Sequence, residues 1–112
     1  AGQSSLTYGY TSGGYTGSSS DVIDKFSFAS DGNASDVGNL TVARYSGAGQ
    51  SSLTYGYTSG GTTGSSSDVI DKFSFASDGN ASDVGNLTVA RDGGAGQSSQ
   101  RSNATPAAIL IL

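Results

Sequence analysis

The sequence predicts an all-β protein made of two near-identical units, and three observations carry that prediction. Residues 1–47 align without gaps to residues 48–94, and 44 of the 47 positions are identical. Each unit holds four short runs of strand-forming residues, set apart by Gly- and Ser-rich turns. No stretch sustains an apolar period of 3.6 residues, so no helix is expected.

The three differing positions are Tyr15 against Thr62, Tyr45 against Asp92 and Ser46 against Gly93. A third copy begins at Ala95-Gly96-Gln97-Ser98-Ser99. It is abandoned at Gln100, where Leu6 and Leu53 stand in the full units. The chain therefore divides into residues 1–47, residues 48–94, and a partial third copy with an apolar tail over residues 95–112. Near-identity means that each unit meets nearly the same neighbours, as in a closed ring or an open stack.

Within a unit, Ala1 to Ser5 is small and polar. Its copy from Ala48 lies between stronger β runs, which suits a close-packed inner strand. Leu6 to Thr11 is the second run, with Leu6, Tyr8 and Tyr10 on one face at period two. Gly9 permits close approach of a neighbouring group. Ser12-Gly13-Gly14 reads as a turn and Tyr15 to Ser20 as a loop. Val22 to Phe28, repeated as Val69 to Phe75, is the densest strand-forming run. Apolar groups stand on both of its faces, as expected of a sheet packed between two others. Asp31-Gly32 reads as a type I′ turn, and Asp36 to Asn39 as a second bend. Asn39 to Ala43 is the expected fourth strand, closed by Arg44.

Composition bounds the chemistry. Of the 112 residues, 34% are hydrophobic and 12% charged, with a net charge of -4 and neither Cys nor His. Disulfides and thiol chemistry are excluded, and an ordinary zinc site lacks its ligands. The mild acidity gives no basic patch for nucleic acid. The apolar end, Pro106 to Leu112, is too short to span a bilayer as a helix. No cofactor, membrane or nucleic-acid partner is expected. Ala107 to Leu112 is instead expected to add a strand to an edge or cover an opening of an assembly, since four consecutive Ile and Leu side chains gain about 1.5–3 kcal/mol each on burial; the competing reading is a remnant that hangs free.

The unit resembles a kelch-type β-propeller blade. The likeness rests on the double glycines Gly13-Gly14 and Gly60-Gly61, on the aromatic strands Val22–Phe28 and Val69–Phe75, and on Leu40 to Arg44 and Leu87 to Arg91. It spans residues 1 to about 99. The usual blade Trp is missing, so Val37 or Leu40 would fill its space. The resemblance implies blades of four antiparallel strands. Propellers close with about four to eight blades. Two blades imply either a ring completed by several copies of this chain or a part of a longer propeller. The unit also resembles near-identical repeats in proteins of marine microbes and their viruses. That likeness implies a surface or appendage protein, outside the cell.

Candidate functional residues follow from side-chain chemistry. Tyr8, Tyr10, Tyr15, Tyr45, Tyr55 and Tyr57 are the expected ligand-binding groups, because aromatic rings stack on sugars and other flat partners. The competing reading packs Tyr8, Tyr10, Tyr55 and Tyr57 between blades, with their hydroxyls at the edge. Asp31, Asn33 and Asp36, with Asp78, Asn80 and Asp83, supply oxygen donors for a hard cation such as calcium. They lack the spacing of an EF-hand loop and its closing Glu, and turn-capping explains them equally. Gly13, Gly14, Gly60 and Gly61 read as structural. So do Arg44 and Arg91, which recur where blades join and each face Asp24, Asp71 or backbone carbonyls. Asn33, Asn39, Asn80, Asn86 and Asn103 match the Asn-x-Ser/Thr pattern, which a Ser/Thr-rich chain generates easily.

No Glu is present, and near-identical units seldom build one asymmetric catalytic centre, so no enzyme is expected. The functions left are a non-enzymatic binding module for glycans on an oligomeric propeller scaffold, a purely structural repeat (a filament or appendage subunit among them), and a calcium-dependent adhesion module.

Overall fold

The structure is a computed structural model that describes residues 1–98. The first unit forms β1 (Gly2–Ser4), β2 (Tyr8–Tyr15), β3 (Ser19–Ser27) and β4 (Ser35–Asn39). The second forms β5 (Ala48–Ser51), β6 (Tyr55–Ser59), β7 (Val69–Ser74) and β8 (Ser82–Asn86). Each set is a four-stranded antiparallel sheet whose strands lie side by side in chain order. The fold is all-β, built from two near-identical sheets, with no helix among the described residues.

Small residues set the close approaches. Gly9 lies opposite Phe26, and a Cβ there would stand 2.5 Å from the Phe26 ring. Gly49 packs its Cα against the carbonyl of Gly2, and Gly96 packs in the same way against Gly49. The Ser4 amide donates to Ser51 Oγ at 3.0 Å, and the Ser51 amide donates to Ser98 Oγ at 3.2 Å. The opening strands of three successive copies therefore stack in one series. Residues 95–98 hold the place of a third inner strand, with Ser98 bridged in parallel to Ser51.

Several expected boundaries shift. Leu6 is exposed in a turn instead of sharing a strand face with Tyr8 and Tyr10. β2 runs on through Gly13-Gly14 to Tyr15, with a register shift between Ser12 and Gly14. The positive φ of Gly13 (69°) and Gly14 (119°) absorbs this irregularity, which only glycine accepts without strain. Gly32 does not take positive φ, so Asp31-Gly32 forms no type I′ turn, and a longer loop joins β3 to β4. The fourth strand falls at Ser35–Asn39 where a bend was expected. The run from Leu40 to Arg44 is not a strand: the Leu40 and Arg44 amides still bond to Asp21 and Ser20 of their own unit, while Thr41 and the Arg44 side chain bond to the second unit. The expected covering role of Ala107 to Leu112 lies outside the described residues, as does Asn103.

The core sits between the sheets. Tyr10, Ile23 and Leu40 of the first unit pack with Phe73 and Ala81 of the second, flanked by Val37 and Phe75. Tyr10 stacks on Phe75 with centroids 4.9 Å apart and meets Phe73 at 5.5 Å. Leu40 is thus buried in this core, with Val37 packed against it.

Candidate functional site: the junction between the units

Most of the buried chemistry lies where one unit meets the next. Arg44 and Asp71 are closed off from solvent, with side chains 1% and 0% exposed. Asp71 sits on β7, and its Oδ2 accepts from Arg44 Nη1 at 3.3 Å and from the Thr41 amide at 2.9 Å. The Thr41 hydroxyl donates to Oδ1 at 2.8 Å, and Arg44 Nη2 donates to the Thr58 carbonyl at 3.0 Å. Full hydrogen bonding of the carboxylate is what makes a buried charge tolerable. The segment Thr41 to Arg44 supplies all four of these donors.

A second polar group lies nearer the inner strands. Gln3 Nε2 is within 3.0 Å of Thr58 Oγ1, 2.9 Å of Ser12 Oγ and 2.8 Å of the Tyr57 carbonyl. Ser12 and Thr58 share a hydrogen bond of 2.8 Å across the junction. Gln3 Oε1, the Tyr10 hydroxyl and Arg44 Nε are buried without a hydrogen-bond partner.

The outer part of the junction uses residues first read as metal ligands. Asp78 pairs with Lys25 at 3.1 Å, and this hydrogen bond raises the Lys25 pKa above the ordinary lysine value. Lys25 also lies 4.2 Å above the Tyr8 ring, as Lys72 lies 3.9 Å above Tyr55. Asn80 Oδ1 accepts from the Asn39 amide at 3.0 Å, and the Ala81 amide donates to the Asn39 carbonyl at 2.9 Å. Asp36 and Asp83 each accept from a glycine amide two residues on, Gly38 and Gly85, at 3.2 Å. Asp31 and Asn33 stand in an exposed loop. Among the described residues no three acidic groups come together.

The tyrosines separate by environment. Tyr10 is buried, and burial raises its pKa. Tyr57, its copy, is half-buried on an outer face. Tyr8 and Tyr55 are exposed at the edge beside their lysines. Tyr15 is 63% exposed and meets Tyr45 with ring centroids 5.1 Å apart. Tyr45 in turn forms an antiparallel bridge with Thr62, and the Gly93 amide donates to the Ser46 carbonyl at 2.8 Å. All three positions at which the units differ thus join one surface cluster.

Sequence reasoning paired Arg44 with Asp24 or Asp71, and the structure selects Asp71. It did not single out Gln3, Ser12, Thr41 or Thr58. The available signal was their recurrence at the same 47-residue period as Arg44 and Asp71. Neither protein-family models nor curated protein sequences give a match to this chain.

The two outer faces carry the repeat copies of the residues that meet in this junction. In the second unit, Gln50, Tyr57, Ser59, Ile70, Val84 and Leu87 line an open, mostly apolar hollow of about 420 Å³. They are the copies of Gln3, Tyr10, Ser12, Ile23, Val37 and Leu40. In the first unit, Phe26 is 39% exposed where Phe73 is 4% exposed, and Phe28 is exposed beside it. Asp24 and Arg91 have no ion-pair partner among the described residues.

Proposed function

We propose that this chain is a non-enzymatic structural repeat module whose copies add head to tail, each new contact repeating the internal junction. The observation that carries this reading is the 47-residue correspondence between the open hollow of the second unit and the filled core of the first. Phe26, Phe28 and Ala34 of one copy fill the hollow of another as Phe73, Phe75 and Ala81 fill the first. Asp24 of one copy meets Arg91 and Thr88 of the next, as Asp71 meets Arg44 and Thr41. Lys72 meets Asp31, as Lys25 meets Asp78.

Burying each such aromatic or Leu side chain contributes about 1.5–3 kcal/mol. Four of them are comparable to an association cost of roughly 4–15 kcal/mol, before the polar contacts are counted. The contact is heterologous, so it closes a ring if the rotation permits and extends as a filament if it does not. A propeller of six or eight blades corresponds to three or four copies. Sedimentation over a range of concentrations tests the reading: species above the 11.1 kDa chain mass must grow with concentration, and a monomer throughout rejects it.

The pairing of exposed Tyr15 with half-buried Tyr45 favours a second reading, in which the assembled scaffold binds a glycan by ring stacking. Its location at the one surface where the units differ supports a role other than packing. Titration of the Tyr15→Ala chain against the parent on a glycan array tests it, and equal, flat responses reject it.

A further inference from the structure

The partial third copy bears on how neighbouring copies would join. Residues 95–98 repeat residues 1–4 letter for letter. They lie against β5 as β5 lies against β1, through the Ser98 and Ser51 contact and the Gly96 and Gly49 contact. A second copy that docked by the internal junction would bring its own β1 to that same place. Two identical strands then compete for one position. The residues after Ser99 do not repeat β2, so residues 95–98 have no second strand of their own sequence type to pair with.

We propose that neighbouring copies join by strand exchange, with residues 95–98 of one copy serving as the first strand of the next copy's first sheet in place of its residues 1–4. The partner is a second copy of this chain, and the inference rests on the head-to-tail reading above. In the exchanged form Gly96 pairs with Thr11, Gln97 with Tyr10 and Ser98 with Gly9 of the neighbour, as Gly2, Gln3 and Ser4 do within one chain. Gln97 then takes over the donor role of Gln3 toward Ser12 and Thr58. The exchange also carries the chain across the contact through residues 92–94. The internal junction is crossed in the same way by residues 45–47, and a contact without exchange has no such link.

Gly2 gives a clean discriminator. In the single chain a Cβ at Gly2 has no neighbour closer than 3.9 Å, whereas Cβ atoms at Gly49 and Gly96 strike the backbone of the preceding copy. Gly2→Ala therefore leaves the single chain intact. If residues 1–4 stay at the contact, that methyl group strikes Gly49 of the neighbour and blocks assembly. If residues 95–98 replace them, assembly is unaffected. Gln97→Ala tests the other partner.

The experiment compares parent, Gly2→Ala and Gln97→Ala by sedimentation, with peptide-resolved hydrogen exchange on the assembled parent. Exchange predicts an unchanged midpoint for Gly2→Ala and a midpoint raised about tenfold for Gln97→Ala. It also predicts slow amides at 96–98 and fast amides at 2–4. Blocked assembly of Gly2→Ala with slow amides at 2–4 overturns the exchange while leaving the head-to-tail reading standing. A parent chain that never assembles overturns both.

Discussion

Arg44 of the first unit and Asp71 of the second meet at 3.3 Å with neither side chain open to solvent, while their copies, Arg91 in the second unit and Asp24 in the first, have no ion-pair partner among the described residues. The same pair is thus complete once and divided once. Removing one member of a buried ion pair leaves the other uncompensated, at a cost of about 3–5 kcal/mol. Asp71→Ala is expected to lower the denaturation midpoint of the single chain strongly. Asp24→Ala is expected to leave that midpoint unchanged in dilute solution and to weaken assembly. Urea denaturation of both variants, below the concentration at which the parent assembles, checks the contrast.

Tyr10 makes the opposite point about buried polarity. Its ring contributes to the core, but its hydroxyl is buried without a partner. Such a hydroxyl costs about 1–3 kcal/mol of desolvation that no hydrogen bond returns. Tyr10→Phe is expected to melt at the same temperature as the parent or higher. Tyr10→Ala, which empties the space beside Phe73 and Phe75, is expected to lose about 3–5 kcal/mol.

Alkaline pH acts on the junction through two groups. The hydrogen bond from Asp78 raises the Lys25 pKa, and burial raises that of Tyr10. A pKa higher in the folded chain than in the unfolded one gives stability that is complete below the unfolded value. That stability is lost as pH rises through the folded value. The melting temperature is therefore expected to hold up to about pH 10 and to fall above it, beyond the ordinary lysine and tyrosine range. Thermal melts between pH 8 and 11.5 check this, and Tyr10→Phe with Lys25→Met should flatten the fall.

Two close glycine contacts between the units give a steric prediction. A Cβ at Gly49 would strike the backbone of Gly2, and at Gly38 it would strike that of Gly79. Neither neighbour is a flexible side chain that can move aside. Gly49→Ala and Gly38→Ala are each expected to separate the two sheets, seen as a rise in hydrogen exchange at Tyr10 and Phe73. Gly85→Ala, where nothing lies within 4 Å, is the matched control.

Much of the fold was legible in the sequence because repetition made each weak signal appear twice. The strand around Ile23 and Phe26 stood out by its β-branched and aromatic content, and Gly9 marked a close approach that Phe26 fills. Leu40 to Ala43 misled because its alternation looks like a strand, while the Thr41 amide and hydroxyl bond to Asp71 in the other unit. Asp78 and Asn80 read as turn or cation ligands because their partners, Lys25 and Asn39, lie 53 and 41 residues away in the chain. Local pattern carries no information about such distant partners. Phe26 and Phe73 are the same letter in the same repeat position, and only their burial, 39% against 4% exposed, sets the two apart.

The most direct test mixes two chains, each blocked at one end. Asp24→Ala disables the face that carries Phe26, and Arg91→Ala disables the face that carries Tyr57. Every contact between two copies of the same variant needs its disabled face, so each alone should remain a monomer near 11.1 kDa. Mixed in equal amounts, they retain one matching contact between them. Mass measurement by native mass spectrometry should then find a one-to-one heterodimer of about twice 11.1 kDa and nothing larger. Large assemblies from either variant alone, or no complex in a mixture at concentrations where the parent assembles, would contradict the claim that the two outer faces are halves of one junction.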